Sequence, residues 1–177
     1  SGNIITSIAK NIPNKIKKKI NYYAVDISKE SLRVAKANAK RYKLNKKIKF
    51  IQSDMLEYFI KNKIKPENIF IIANLPYVSR DIYKRNYKNL KYEPKTALLS
   101  RNNGLDHYIK LFEQVKILIT SARDGSASGG DHCSLFIEFS PEQKQEIARI
   151  LKEYWPKEKI SFSRDLAGKW RMAEVKI

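Results

Sequence analysis

The chain has 177 residues, 42% of them hydrophobic and 31% charged, which suits one domain with room for a sizeable core. Its 36 basic against 18 acidic side chains leave a formal charge of +18, which favours polyanionic partners such as nucleic acid or a ribonucleoprotein. One cysteine, Cys133, excludes an internal disulfide and argues against a thiolate zinc site. His107 and His132 have no partner at metal-ligand spacing, and no apolar run nears the roughly 20 residues of a membrane span. The expectation is a cytoplasmic protein with no metal, no membrane segment and no signal peptide. The lysines are scattered along the whole chain, so solvated helix faces account for the charge as readily as a nucleic-acid surface does.

In chain order, Ile4, Ile5, Ile8 and Ile12 have helical spacing and predict a helix almost from Ser1-Gly2. Asn21-Tyr22-Tyr23-Ala24-Val25-Asp26 reads as a strand with Asp26 at its carboxyl end. Ser28 then caps a helix whose apolar face is Leu32, Ala35, Ala39 and Tyr42, with Arg33, Lys36, Lys40 and Lys43 turned to water. An acid at such a strand end can accept both ribose hydroxyls of a nucleoside cofactor, or can simply cap the helix. The run 47–54 alternates and also ends in an acid, Asp54. That carboxylate can accept from an adenine amino group, with Met55 and Leu56 against the ring.

The third strand, Ile69-Phe70-Ile71-Ile72-Ala73, reads as a buried parallel strand and runs directly into Asn74-Leu75-Pro76-Tyr77. In open α/β sheets ligands lie beyond the carboxyl ends of the strands, which puts these four residues where chemistry is done. An Asn carboxamide oxygen and a backbone carbonyl held rigid by Pro76 can accept both N–H groups of a planar NH2, while Tyr77 covers its face. Such a cradle orients the nitrogen toward an electrophile and needs no strong base. An ordinary turn is the other reading of the same residues.

The stretch 78–103 has no clear period and is long enough to be a functional loop. A helix from Leu105 places Tyr108, Leu111, Phe112, Val115, Leu118 and Ile119 on one face, as plain core packing. A Gly/Ser-rich turn at 121–130 leads to a strand at 133–139. The next helix is marked by Ile147, Ile150, Leu151 and Tyr154, and 159–164 and 171–177 close the sheet as an antiparallel pair around Asp165-Leu166-Ala167-Gly168.

Asn74-Leu75-Pro76-Tyr77 resembles the Asn/Asp-x-Pro-Tyr motif of S-adenosylmethionine-dependent N-methyltransferases, which act on glutamine amides or on amino groups of adenine, cytosine and guanine. With Tyr92-Glu93-Pro94-x-x-Ala97-Leu98 and Gly104-Leu105-x-x-Tyr108 following in order, the series is similar to that of the HemK-type glutamine N5-methyltransferases. These methylate the glutamine of the Gly-Gly-Gln loop of peptide chain release factors.

The resemblance implies an α/β, Rossmann-like class I methyltransferase: a three-layer sandwich with a mostly parallel sheet and a closing antiparallel C-terminal hairpin. It implies one catalytic domain, 1–177, lacking the first strand. Ser1-Gly2 looks like the end of the glycine loop that follows that strand, a cloning remnant being the other reading. It further implies S-adenosylmethionine as cofactor, with S-adenosylhomocysteine as product, held by Gly2, Asp26, Ile27, Asp54, Met55 and Asn74. Asn74, Pro76 and Tyr77 would be catalytic, and Asn74, Leu75, Pro76, Tyr77 and Glu93 would bind substrate.

The implied partner is a release factor, with ribosome or nucleic-acid contact through the basic surface. Leu75 stands where the family usually has Pro, and Asn-Leu-Pro-Tyr is also the form in rRNA adenine N6-dimethyltransferases. Those enzymes lack the Tyr-Glu-Pro and Gly-Leu-x-x-Tyr segments and carry a further helical domain. The alternatives are thus an N-methyltransferase acting on adenine or guanine of RNA or DNA, or a non-catalytic basic module on the same fold.

Overall fold

Ile5, Ile8 and Ile12 line one side of helix α1 (Asn3–Asn11) and its C-cap in the computed structural model, which describes residues 1–17, 19–64, 68–78, 83, 102–122 and 132–177. The chain divides into two units, 1–64 and 65–177. In the first, α1 is followed by α2 (Asn14–Lys17), β1 (Tyr22–Asp26), α3 (Lys29–Arg41), β2 (Ile48–Gln52) and α4 (Glu57–Lys61). Strands β1 and β2 run parallel, from Tyr22 opposite Ile48 to Asp26 opposite Gln52. The three isoleucines pack against buried Ala9, Tyr22, Ala39, Leu44 and Ile48, with Ala24 and Phe50 completing the cluster. Among these buried groups the Thr6 and Tyr22 hydroxyls have no hydrogen-bond partner.

Ser28 caps α3 as expected, its Oγ accepting from the Ser31 amide at 3.2 Å. The helix ends in a 6→1 closure, Leu44 N–H to the Ala39 carbonyl at 2.9 Å, with Lys43 in the left-handed region at φ 58. This explains one departure from the expected face. Tyr42 is the C-cap residue, already off the helical path, and it is 53% exposed, with its ring under the Lys10 ammonium, instead of buried with Ala35 and Ala39. Ile4 is likewise exposed, because Thr6 and Ala9 hold the inner side of α1. Strand β2 stops at Gln52, so Asp54 lies in the turn beyond it rather than at its last position.

The second unit contains β3 (Asn68–Ala73), α5 (Asp106–Ala122), β4 (His132–Glu138), α6 (Lys144–Tyr154), β5 (Lys159–Arg164) and β6 (Trp170–Lys176), in a sheet of order β3-β4-β6-β5. β3 and β4 are parallel, whereas β6 runs antiparallel to both β4 and β5. Alternation on β4 buries Cys133, Leu135 and Ile137, and the helical repeat on α5 buries Tyr108, Leu111, Phe112, Val115 and Leu118. Ile147, Ile150 and Leu151 of α6 and Ala173 and Val175 of β6 are also in this core, where Phe112 meets Trp155 edge-on at 5.3 Å.

Strand β3 is not enclosed on both faces as its composition suggested. Ile71 is buried, but its neighbours Phe70 and Ile72, which alternate to the opposite face, are 73% and 46% exposed. Among the described residues no helix is long and apolar enough to cross a membrane. The expected loop over 78–103, with Glu93 and the Tyr-Glu-Pro segment, lies outside the described residues apart from Val78, Tyr83 and the short turn Asn102–Gly104. Most of the Gly/Ser-rich 121–130 lies outside them as well.

Candidate active site

In the first unit, Asp26 and Ile27 leave the carboxyl end of β1 beside the end of β2. The Asp26 carbonyl accepts from the Ser53 amide at 3.1 Å, and the Gln52 side chain donates to the Ile27 carbonyl at 3.1 Å. Asp26 is not the helix cap. Its Oδ1 accepts from the Ser28 amide at 2.9 Å, and the capping oxygen belongs to Ser28 itself. Met55, directly after Asp54, holds φ 51, an uncommon conformation for a side chain of that size. Gly2 has φ 70, and a Cβ there would lie 2.7 Å from the Ala35 side chain, so glycine allows the start of α1 to approach α3. Four of the expected cofactor residues, Asp26, Ile27, Asp54 and Met55, therefore share the carboxyl end of this parallel pair.

In the second unit, Asn74 to Tyr77 follow the carboxyl end of β3. Asn74 is exposed, whereas Leu75, Pro76 and Tyr77 are half-buried. Tyr77 is held from two sides. Its carbonyl accepts from the Gln143 side-chain amide at 3.1 Å, and its hydroxyl approaches Glu138 Oε1 at 3.4 Å. Gln143 is itself buried, and its Oε1 accepts from the Ser140 amide at 3.1 Å. Gly104 sits against this junction with φ 89, where a Cβ would fall 2.2 Å from the Tyr77 carbonyl oxygen and 2.4 Å from Gln143 Nε2. The Tyr108 hydroxyl donates to the Glu138 carbonyl at 2.6 Å, and burial, reinforced by Tyr77 and Glu138, pushes its pKa far up, so it stays a neutral donor. The Gly-Leu-x-x-Tyr segment thus supports the Asn-Leu-Pro-Tyr segment directly, a role that core periodicity alone did not suggest.

A cavity of about 500 Å³ opens beside Tyr77 and Glu138, walled by Arg164, Asp165, Arg171 and Met172 of the closing hairpin. Opposite the Ser163–Arg164 step, β6 carries one extra residue, Arg171, and this bulge lets neighbouring side chains reach the same cavity. Asp165 organises the turn: Oδ1 accepts from the Ala167 and Lys169 amides at 2.9 Å each, and Oδ2 from Arg171 Nε at 3.1 Å. The Lys169 amide foremost, with Arg171 and Ala167, holds this carboxyl below the usual carboxylate range. Sequence reasoning passed over Glu138, Gln143 and Arg164. Of these, only Glu138 carried a usable signal, since it ends a parallel strand as Asp26 ends β1.

Residues 3–121 match the UPF0020 family, RMKL-like, methyltransferase domain. Among curated relatives, the release factor glutamine methyltransferase of Lactococcus lactis is 34% identical over 86% of this chain and 51% of its own length, and that of Dictyoglomus turgidum is 31% identical over 99% and 56%. The chain thus spans about half the length of these relatives. A Clostridium thermocellum protein of solved structure, provisionally named an rRNA methylase, superposes with a TM-score of 0.53 over 99% of this chain and 83% of its own, at 13% identity. That likeness bears on the fold alone, which is the α/β, Rossmann-like fold of methyltransferases. With more than half of its length matching, the chain belongs to the RMKL-like methyltransferase domain family.

Proposed function

We propose that the chain is the catalytic domain of an S-adenosylmethionine-dependent enzyme that methylates the side-chain amide nitrogen of a glutamine in a peptide chain release factor. The observation that carries this reading is the exposed Asn74 at the carboxyl end of β3, followed by a Pro76-Tyr77 step whose carbonyl and hydroxyl are both tied down. Relatives at 31–34% identity named for this activity support it.

The residues of the first unit fit the cofactor. Asp26 and the Asp54-Met55 turn stand at the ends of adjacent parallel strands, and a carboxylate there suits vicinal hydroxyls. Asp26 and Ile27 would hold the ribose, Asp54 and Met55 the base, and Gly2 the close approach of the backbone. S-adenosylmethionine supplies the electrophilic methyl group. The chain's own residues do the rest by position: Asn74 Oδ1 and the Leu75/Pro76 backbone accept the two N–H groups of the amide, and the Tyr77 ring covers its plane. Glu93, which lies outside the described residues, is proposed to bind substrate. The setting is cytoplasmic, with ribosome contact available to the basic surface.

A second reading, N-methylation of adenine or guanine in RNA or DNA, is favoured by the charge of +18. The deciding experiment gives the complete enzyme tritiated S-adenosylmethionine with either a release factor or total RNA. Label in the release factor is expected. Label in RNA alone overturns the primary reading, and label in neither, with a folded protein, favours the non-catalytic basic module.

A further inference from the structure

Arg164 stands in the wall of the cavity beside Tyr77, and among the described residues no carboxylate pairs with it. Its neighbour Arg171 is committed to Asp165 at 3.1 Å. What Arg164 does contact is Trp170: the guanidinium carbon lies 4.4 Å from the ring centroid, and Lys144 stands 4.5 Å from the same centroid. A guanidinium lying over an aromatic face keeps its N–H donors at the rim of its plane, available to acceptors. The hairpin that carries it is pinned by the three bonds to Asp165, so Arg164 is presented by a defined turn.

The charge around it selects the acceptor. The chain carries +18, yet this cavity sets two carboxylates, Glu138 and Asp165, beside its two arginines. A phosphodiester or an acidic side chain entering there would meet a lining whose carboxylates offset its arginines, with only Lys144, outside the lining, in excess, and would lose much of what the arginines offer. A neutral carbonyl does not. The cavity, about 500 Å³ and open to one side, has room for a short peptide segment.

Building on the methyl-transfer reading above, we propose that Arg164 is a specificity residue that donates hydrogen bonds to main-chain carbonyls of the substrate loop beside the methylated residue. It thereby favours a peptide over a nucleic acid. Arg164 takes no part in the transfer itself, so its contribution falls on substrate affinity and not on turnover.

The test measures steady-state methylation of a release factor by the complete enzyme and its Arg164→Met and Arg164→Lys variants. Met keeps the apolar stem on Trp170 and removes every donor, while Lys keeps the charge without the planar fork. Losing a charged hydrogen bond should raise KM for the release factor about tenfold in the Met variant, with Lys recovering part of it. Values of kcat, KM for S-adenosylmethionine and melting temperature should stay near wild type. An unchanged KM for the release factor in the Met variant overturns this inference and leaves the parent reading standing. A loss of kcat in step with a fall in melting temperature overturns it too, since Arg164 would then be structural. If the wild-type enzyme labels RNA and not the release factor, or labels neither, both readings fall.

Discussion

The side-chain amide of Gln143 donates to the carbonyl of Tyr77 at 3.1 Å, joining residues 66 positions apart in sequence. Because the same amide accepts from the Ser140 N–H, one buried side chain satisfies two main-chain groups. Gln143→Leu removes both bonds and should destabilise the protein by about 2–3 kcal/mol, the cost of leaving buried groups unpaired. Gly104→Ala should cost more than that, since it combines a positive φ with a backbone collision at Tyr77. Urea unfolding of the two variants checks both values, and wild-type stability in Gly104→Ala would contradict the described junction.

Asn74 is exposed, so the loss of its side chain should be nearly silent in folding. In the complete enzyme, Asn74→Ala should lower methyl transfer by about 2–4 kcal/mol of transition-state stabilisation, the range for one preorganised polar contact. Single-turnover labelling gives the rate and thermal melting gives the control. Full activity in this variant would remove Asn74 from the cradle.

Asp26 and Ser28 can be separated by substitution because the structure gives them different partners. Asp26→Asn keeps an oxygen for the Ser28 amide and deletes the charge, so it should weaken S-adenosylmethionine binding by about 1.5–3 kcal/mol while stability holds. Ser28→Ala should do the opposite, costing about 1 kcal/mol of stability through the lost cap with little effect on affinity. Titration calorimetry on the complete protein distinguishes them. Equal affinities for wild type and Asp26→Asn would limit Asp26 to its turn.

Burial raises the pKa of the Cys133 thiol from its ordinary 9.0 to about 11. In that interval the folded chain keeps a proton that the unfolded chain has released, so the contribution to stability is complete below pH 9.0 and is lost as the pH climbs toward 11. Unfolding midpoints should therefore fall over this window in wild type and fall less in Cys133→Ala. Alkylation by iodoacetamide at neutral pH should be slow in the native protein and fast in urea.

Much of this was legible because strand ends and helix faces leave local patterns. The acid that ends β1, the acid beyond β2 and the Asn after β3 could be ordered from alternation and punctuation alone, and so could the Ser28 cap. Tyr42 misled because helical spacing continues one residue past the last helical backbone angle. Phe70 and Ile72 misled because apolar composition does not say which face of a strand is covered. The contacts of Tyr77 with Glu138 and Gln143 are long-range pairings, and nothing in the residues near either partner announces them. From sequence Arg164 is one member of a closing strand, since a bulge that re-aims a side chain has no signature in an alternating run.

The stacking of Arg164 and Lys144 on Trp170 has an optical consequence. The chain has only two tryptophans. Trp155 is 6% exposed and packed among Phe112 and Tyr154, so its emission should be blue and indifferent to anything added to the solution. Trp170 is half-buried beside two cations, and it borders the cavity through Arg164. A Trp155→Phe background would isolate its signal, in which a shift of wavelength or quantum yield on titration reports occupancy of the cavity in real time, without isotope or label.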